Sequence, residues 1–279
     1  MSQLAEWRPA PETRTDTLAA VPLGRLAALL DDTAPPWPAG VVPPLGHWLS
    51  FLPDAAQSAL GEDGHPAISA VLPPGAGPRR MWAAGRVAFH ADLPIGAEAT
   101  RTSTVEAVER KTGRTGALTF VTVRHDISVG GRLAVIEHQD LVYRDPADPT
   151  ASTAAPERNP EPRPADASRA LVLDERALFR FSALTFNTHR IHYDAPYATG
   201  VEGYAGLVVH GPYQAVLLVD HLLRERPGAR IASFAFRGVR PLIAGPATLN
   251  LAAQDDGTVA LWTADPLGHE CLRAQVVLA

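Results

Sequence analysis

One cysteine and two methionines stand among 279 residues. With Cys271 alone, no internal disulfide can form and a cysteine-based zinc site is excluded. Positive charge is not in excess. The formal net charge is −5, and no basic stripe marks a nucleic-acid surface. No run approaches the ~20 apolar residues that a membrane-spanning helix needs. The first twelve residues are polar and lack the apolar stretch of a secretion signal. These absences lead to the expectation of a cytoplasmic protein with neither a membrane nor a nucleic-acid partner. Global disorder is excluded too, because 46% of the residues are hydrophobic. The length allows one large domain or two of ordinary size.

Proline is not scarce, and its distribution divides the chain. Six of the 26 prolines fall in residues 146–168, beside almost no large apolar side chain. Such a stretch cannot bury enough surface to offset its ordering entropy and reads as an extended linker. The expected parts are residues 1–145 and 169–279. In the second part, residues 212–226 place Val216, Leu217, Val219, Leu222 and Leu223 at helical spacing. Pro212 suits the first turn and Pro227-Gly228 stops the run, so a buried helix is predicted. A short helix or turn opens at 180–183. Strand patterns follow the long helix at 230–238, 247–254, 258–265 and 269–278, with Cys271 in the core of the last. The first part carries four more at 81–90, 98–111, 117–127 and 132–144. Leu93-x-Ile95-Gly96 recurs as Leu242-x-Ala244-Gly245, which points to an internal duplication. Residues 31–80 are rich in Pro and Gly and show no long helix.

Chemistry concentrates in residues 181–194, FSALTFNTHRIHYD, followed by His210-Gly211 just before the predicted helix. His192 titrates near working pH and is the candidate base. Asn187 can orient a water but cannot take a proton. The N–H of Gly211 would sit at a helix N-terminus, where donors are unsatisfied and the dipole is positive. His189 either orients a loop or touches substrate. His210 marks the helix start and borders the ligand. Arg237 and Arg240, on the strand after the helix, fit phosphate or a second carboxylate, or are plain surface arginines. Trp82 carries the same ambiguity. A metal site built from His189, His192 and Asp194 is not expected, because these residues do not read as one helix face.

The C-terminal part resembles the MaoC-like enoyl-CoA hydratases. Phe181, Leu184 and Thr185 fit the start of their motif. His192 and Asp194 fit its histidine and last aspartate, and His210-Gly211 fits its helix start. Three positions depart: Asn187, His189 and Arg190 stand where the motif has Asp, Asn and Pro. The stretches WPAGVVPPLGHWLSFLP and ERKTGRTGALTFVTVRHDI resemble the branch of fused double hotdogs. Its members hydrate mesaconyl-CoA (3-methylfumaryl-CoA) or itaconyl-CoA, or dehydrate 3-hydroxyacyl thioesters. The resemblance implies an α+β double hotdog with two antiparallel sheets, each wrapped around a central helix, the first helix being less regular. It implies a hydro-lyase adding water to an enoyl-CoA, best matched to mesaconyl-CoA, with no cofactor because CoA belongs to the substrate. Catalytic roles would fall to His192, Asn187 and Gly211, and substrate contacts to His189, His210, Arg237, Arg240 and Trp82. A monomer or a homodimer is expected. The rivals are a hotdog thioesterase using Asp220 or Glu225, and a non-catalytic thioester-binding protein.

Overall fold

The computed structural model describes residues 6–69, 71–74, 79–113, 116–144 and 163–279. The first half runs β1 (Glu12–Thr17), α1 (Ala20–Leu29), β2 (Arg79–Phe89), β3 (Glu98–Gly113), β4 (Gly116–Val129) and β5 (Arg132–Arg144). The second runs β6 (Ala167–Leu173), α2 (Glu175–Thr185), α3 (Ala195–Gly200), α4 (Gly211–Glu225), β7 (Ile231–Gly238), β8 (Gly245–Ala253), β9 (Val259–Ala264) and β10 (Glu270–Leu278). Residues 146–162 of the expected linker lie outside the described residues. Its last two residues, 167 and 168, already belong to β6, which pairs with β8.

The strands form one antiparallel sheet in the order β1-β3-β4-β5-β2-β7-β10-β9-β8-β6. Read from either edge toward the middle, the first, third, fourth, fifth and second strands of each half follow in turn. The chain is thus a double hotdog of the α+β class, with the two expected sheets joined edge to edge. The joint is β2 against β7, where Gly85 faces Phe236. A Cβ on Gly85 would collide with the Phe236 ring, so only glycine lets the halves close here.

Helix α4 fills the concave side of the second half. Every residue from Tyr213 to Leu223 is buried, and the helix packs on β8, β9 and β10. Pro212 sits in its first turn. An apolar girth of this kind can be stable only inside a wrapped sheet.

In the first half the matching helix is reduced to a 3-10 turn, Gly46–Leu49. The equivalence is set by hydrogen bonds. Val42 N donates to Leu93 O at 2.8 Å and Ile95 N to Gly40 O at 2.9 Å. Val209 N donates to Leu242 O at 2.8 Å and Ala244 N to Leu207 O at 2.8 Å. Pro43-Pro44 therefore stand where the second half has His210-Gly211. Proline has no N–H to offer a ligand and no imidazole. The duplicated turn survives, but its chemistry exists in one copy.

Candidate active site

Helix α2 starts on Asp174, whose side chain caps Ala177 N, and ends at Phe186 in the left-handed region at φ 48°. That reversal sends Asn187 N back to Ser182 O at 2.9 Å. Asn187 Oδ1 then accepts from His189 N at 2.9 Å. This side-chain turn shapes the next residues into a 3-10 turn, Arg190–His192. With its oxygen engaged, Asn187 presents its amide NH2 as the group available to a ligand. Asp194 closes the segment structurally. It caps α3 through Tyr197 N at 3.1 Å and accepts from Arg190 Nη2 at 2.7 Å.

His192 is buried, and its Nδ1 donates to Val208 O at 2.7 Å. That bond fixes the tautomer, leaving Nε2 as a lone-pair acceptor. Burial pushes the ring down to about 4, against the opposing pull of the Val208 carbonyl. The ring stacks on His210 with centroids 3.6 Å apart. His210 is the N-cap residue of α4, and its Nε2 bonds Ser182 Oγ at 2.8 Å. The next residue, Gly211, carries one of the helix's first N–H groups, which have no intrahelical acceptor. The candidate base and the candidate oxyanion donor therefore belong to adjoining walls.

Both line one cavity of about 1030 Å³, shared by the two halves of the sheet. Asn187, His189, Trp82 and Arg240 line it as well. His210 does not; it supports His192 from behind. Arg237 is exposed and lies outside the cavity, because alternation along β7 turns it away from the buried Phe236. Arg240 lies past the end of β7, in the turn, with its N–H on Cys271 O at 3.1 Å.

A Cβ on Gly211 would meet no protein atom nearer than Trp82 O at 3.8 Å. Gly211→Ala should therefore fold with an unchanged Tm. The added methyl stands over the N–H and should lower kcat about tenfold or more. Equal kcat in thermally matched samples would remove Gly211 from the site.

One residue of the cavity wall and the carboxylate behind it escaped the sequence reading, because they sit in a Pro/Gly-rich stretch without periodicity. Asp63 and His65 come from the first half. The loop that carries them is stitched to the second half by three bonds: Arg190 N to Asp63 O at 2.9 Å, Arg190 Nη1 to Glu62 O at 3.1 Å, and Thr188 Oγ1 to Gly64 O. The rings of His65 and His189 lie 4.2 Å apart, and those of His189 and His192 5.4 Å apart. Burial, then the neighbouring imidazoles, hold His189 down at about 2. Asp63, His65 and His189 offer ligand atoms within 4.8 Å of one another. Asp63 Oδ2 and His65 Nδ1, however, already bond each other at 2.7 Å. The trio is an oriented hydrogen-bonded pair beside a neutral ring rather than an open set of ligands.

Another part of the cavity lining is also polar. Glu137 is buried and accepts from His47 Nε2 at 3.0 Å and from Trp48 Nε1 and Gln139 Nε2 at 2.9 Å each. Burial alone would raise its carboxyl, but the His47 bond and charge bring it to about 2. Asp220, the residue a thioesterase would need, lies outside the cavity and accepts from Arg169 and Arg224 at 2.9 Å each.

A double hotdog with a tautomer-fixed imidazole beside a helix N-terminus defines a carbon–oxygen lyase acting on thioesters, a hydratase or dehydratase. The chain belongs to the hydroxyacyl-thioester dehydratase type 2 family, whose model matches residues 45–244. It is 43% identical over 269 residues to mesaconyl-C(4)-CoA hydratase of Chloroflexus aurantiacus, covering 96% of this chain and 94% of that protein. Among solved structures, a MaoC-like dehydratase from Phytophthora capsici superposes with a TM-score of 0.71 at 15% identity, covering 99% and 97% of the two chains. A double-hotdog protein of Mycobacterium tuberculosis gives 0.55 at 15% identity, covering 98% and 96%. No helix among the described residues is long and apolar enough to cross a membrane.

Proposed function

We propose that this protein hydrates a short dicarboxylyl-CoA, with mesaconyl-C(4)-CoA the first choice, and that His192, Asn187 and Gly211 carry the reaction. The observation behind the mechanism is the fixed Nδ1–H of His192, which leaves Nε2 free to accept a proton in the cavity that Gly211 also lines. Nε2 takes a proton from water held by the Asn187 amide, and the water oxygen bonds the β-carbon. The π electrons move to the thioester oxygen, which the Gly211 N–H and the α4 dipole receive. The enolate then returns its electron pair to the α-carbon, which takes up a proton.

The substrate choice rests on the relative at 43% identity and on a second polar part of the cavity lining. Glu137, His47 and Arg101 belong to that lining and suit a polar acyl end better than an alkyl tail. Arg240 lines the cavity, which supports a role for it toward a second carboxylate or a CoA phosphate. Engagement of Asp220 by two arginines disfavours thioester hydrolysis. Two fused hotdogs complete the wrapped sheet within one chain, so a monomer or a dimer of such chains suits the reading.

A panel of enoyl-CoA thioesters, followed by mass, tests the function. Gain of one water on mesaconyl-C(4)-CoA, faster than on crotonyl-CoA, is the expected result. Release of free CoA without hydration, or preference for long alkyl chains, would sink it.

A further inference from the structure

Water addition moves two protons: one leaves water and one arrives at the α-carbon. His192 accounts for the first. The second needs a group in the same cavity that can hold and release a proton. Asn187 cannot. Asp194 is engaged by Arg190 and lies outside the cavity. Glu137 has both oxygens occupied. Asp54 is highly exposed and paired with Arg14. Among the described residues no carboxylate hydrogen-bonds the His189 ring, and burial and the neighbouring imidazoles oppose a proton there.

His65 meets every requirement. Asp63 holds it through two bonds: Oδ1 accepts from His65 N at 2.9 Å, and Oδ2 accepts from Nδ1 at 2.7 Å. The second bond puts the ring proton on Nδ1 and leaves Nε2 as the acceptor, in a residue that lines the cavity. Burial alone would raise the Asp63 carboxyl, but the hydrogen bonds from the His65 ring and backbone help bring it to about 2, so a carboxylate backs the ring. Burial lowers His65 further than Asp63 can raise it, so the resting ring is neutral. An imidazole with a carboxylate behind it can accept a proton during turnover at small cost, because its charge is balanced on the spot.

We propose that His65, positioned by Asp63, is the second proton carrier of the reaction and exchanges the hydrogen on the α-carbon. The proposal rests on the hydratase reading above. In hydration the neutral His65 first takes one proton from solvent on Nε2, with Nδ1–H still held by Asp63. Water gives a proton to His192 Nε2 as its oxygen bonds the β-carbon. The C=C π pair becomes the enolate, the Nε2–H bond of His65 breaks, and that proton bonds the α-carbon. The site ends with its one proton on His192 and is reset by passing it back to His65 through solvent. Dehydration runs the same steps in reverse, with neutral His65 taking the α-hydrogen. The second half lacks the motif's carboxylate at Asn187, and the first half supplies a replacement pair from a loop docked on the same segment.

Two readouts test this: hydration of the preferred enoyl-CoA, and wash-in of deuterium at C2 of a saturated short-chain acyl-CoA in D2O. The second needs no water addition. H65Q should lose at least a hundredfold in both. H192Q should lose hydration but keep C2 exchange. The Asp63 side chain touches His65 alone among the hydrogen bonds of the described residues. D63N should therefore lower kcat about tenfold at unchanged KM, and should decide the question if H65Q does not fold. Free imidazole should restore part of the activity of H65A. H65Q or D63N retaining both readouts within threefold of wild type overturns the proposal, as does an H192Q that loses exchange as fully as H65Q. A wild type that exchanges C2 hydrogen but hydrates no thioester of the panel refutes the hydratase reading and leaves the pair standing.

Discussion

His192→Gln is expected to lose about 10²–10⁴-fold in kcat while substrate binding changes little. Glutamine keeps a polar group near Val208 O but cannot take a proton from water. The imidazole is buried and stacked face to face on His210, so truncation to alanine would also open a cavity; glutamine avoids confusing the two effects. The same variant should alter the response to acid. The ordinary imidazole value is 6.5, and the folded ring sits at about 4. The unfolded chain therefore binds the proton first. Stability contributed by keeping this ring neutral is complete above pH 6.5 and is lost as pH falls from 6.5 to 4. The total is about 3 kcal/mol by linkage. His192→Gln removes that loss, so its unfolding midpoint in denaturant should fall less steeply than that of the wild type across this window. Full turnover in the variant, or parallel acid profiles, would mean that His192 is neither base nor buried neutral ring.

Gly64→Ala is expected to disrupt both stability and activity. Gly64 has φ +90°, a region open to glycine and costly for other residues, and a Cβ there would lie far inside contact distance of the Thr188 carbonyl oxygen. The loop cannot retreat without breaking the bonds from Arg190 N and Thr188 Oγ1. A loss of about 2–4 kcal/mol follows from strain and broken hydrogen bonds. His65 should withdraw from His189 at the same time. Thermal unfolding and kcat measured together check this. A variant with wild-type Tm and kcat would show that the docking of this loop on residues 188–190 is not needed for either.

Strong periodicity made much of the fold legible. The eight expected strands appear as β2–β5 and β7–β10, and the expected helix at 212–226 appears as α4, Gly211–Glu225. Edge strands were hidden. β1 reads ETRTDT, with no apolar residue to mark a face, and β6 begins inside the proline-rich stretch. α1 carries Pro22 and Gly24 and has no side-chain cap, so it shows neither a start signal nor a clean period. α2 was recognised only at 180–183, because few of its residues are buried. The β2–β7 joint depends on two strands that each already have a partner, and no local pattern records such a pairing.

The site was legible where its parts lie close in sequence. Residues 187–192 and 210–211 meet because a carbonyl two residues before His210 accepts from His192. Asp63 and His65 were not legible, since their meaning comes from residues 188–190, more than 120 positions away. Arg237 and Arg240 looked alike in sequence. The end of β7 at Gly238 separates them, leaving one on the outer face and one in the cavity wall.

The double proline at 43–44 has a consequence for how the enzyme responds to its ligand. Twin hotdogs bound as separate chains would carry two equivalent seats, each able to influence the other. Among the described residues only one seat can hold a thioester oxygen, so ligand should bind with a stoichiometry of one per polypeptide. The first half thus gives up its own oxyanion seat, and what it contributes to the working one comes from its loop at residues 61–65, docked on residues 188–190.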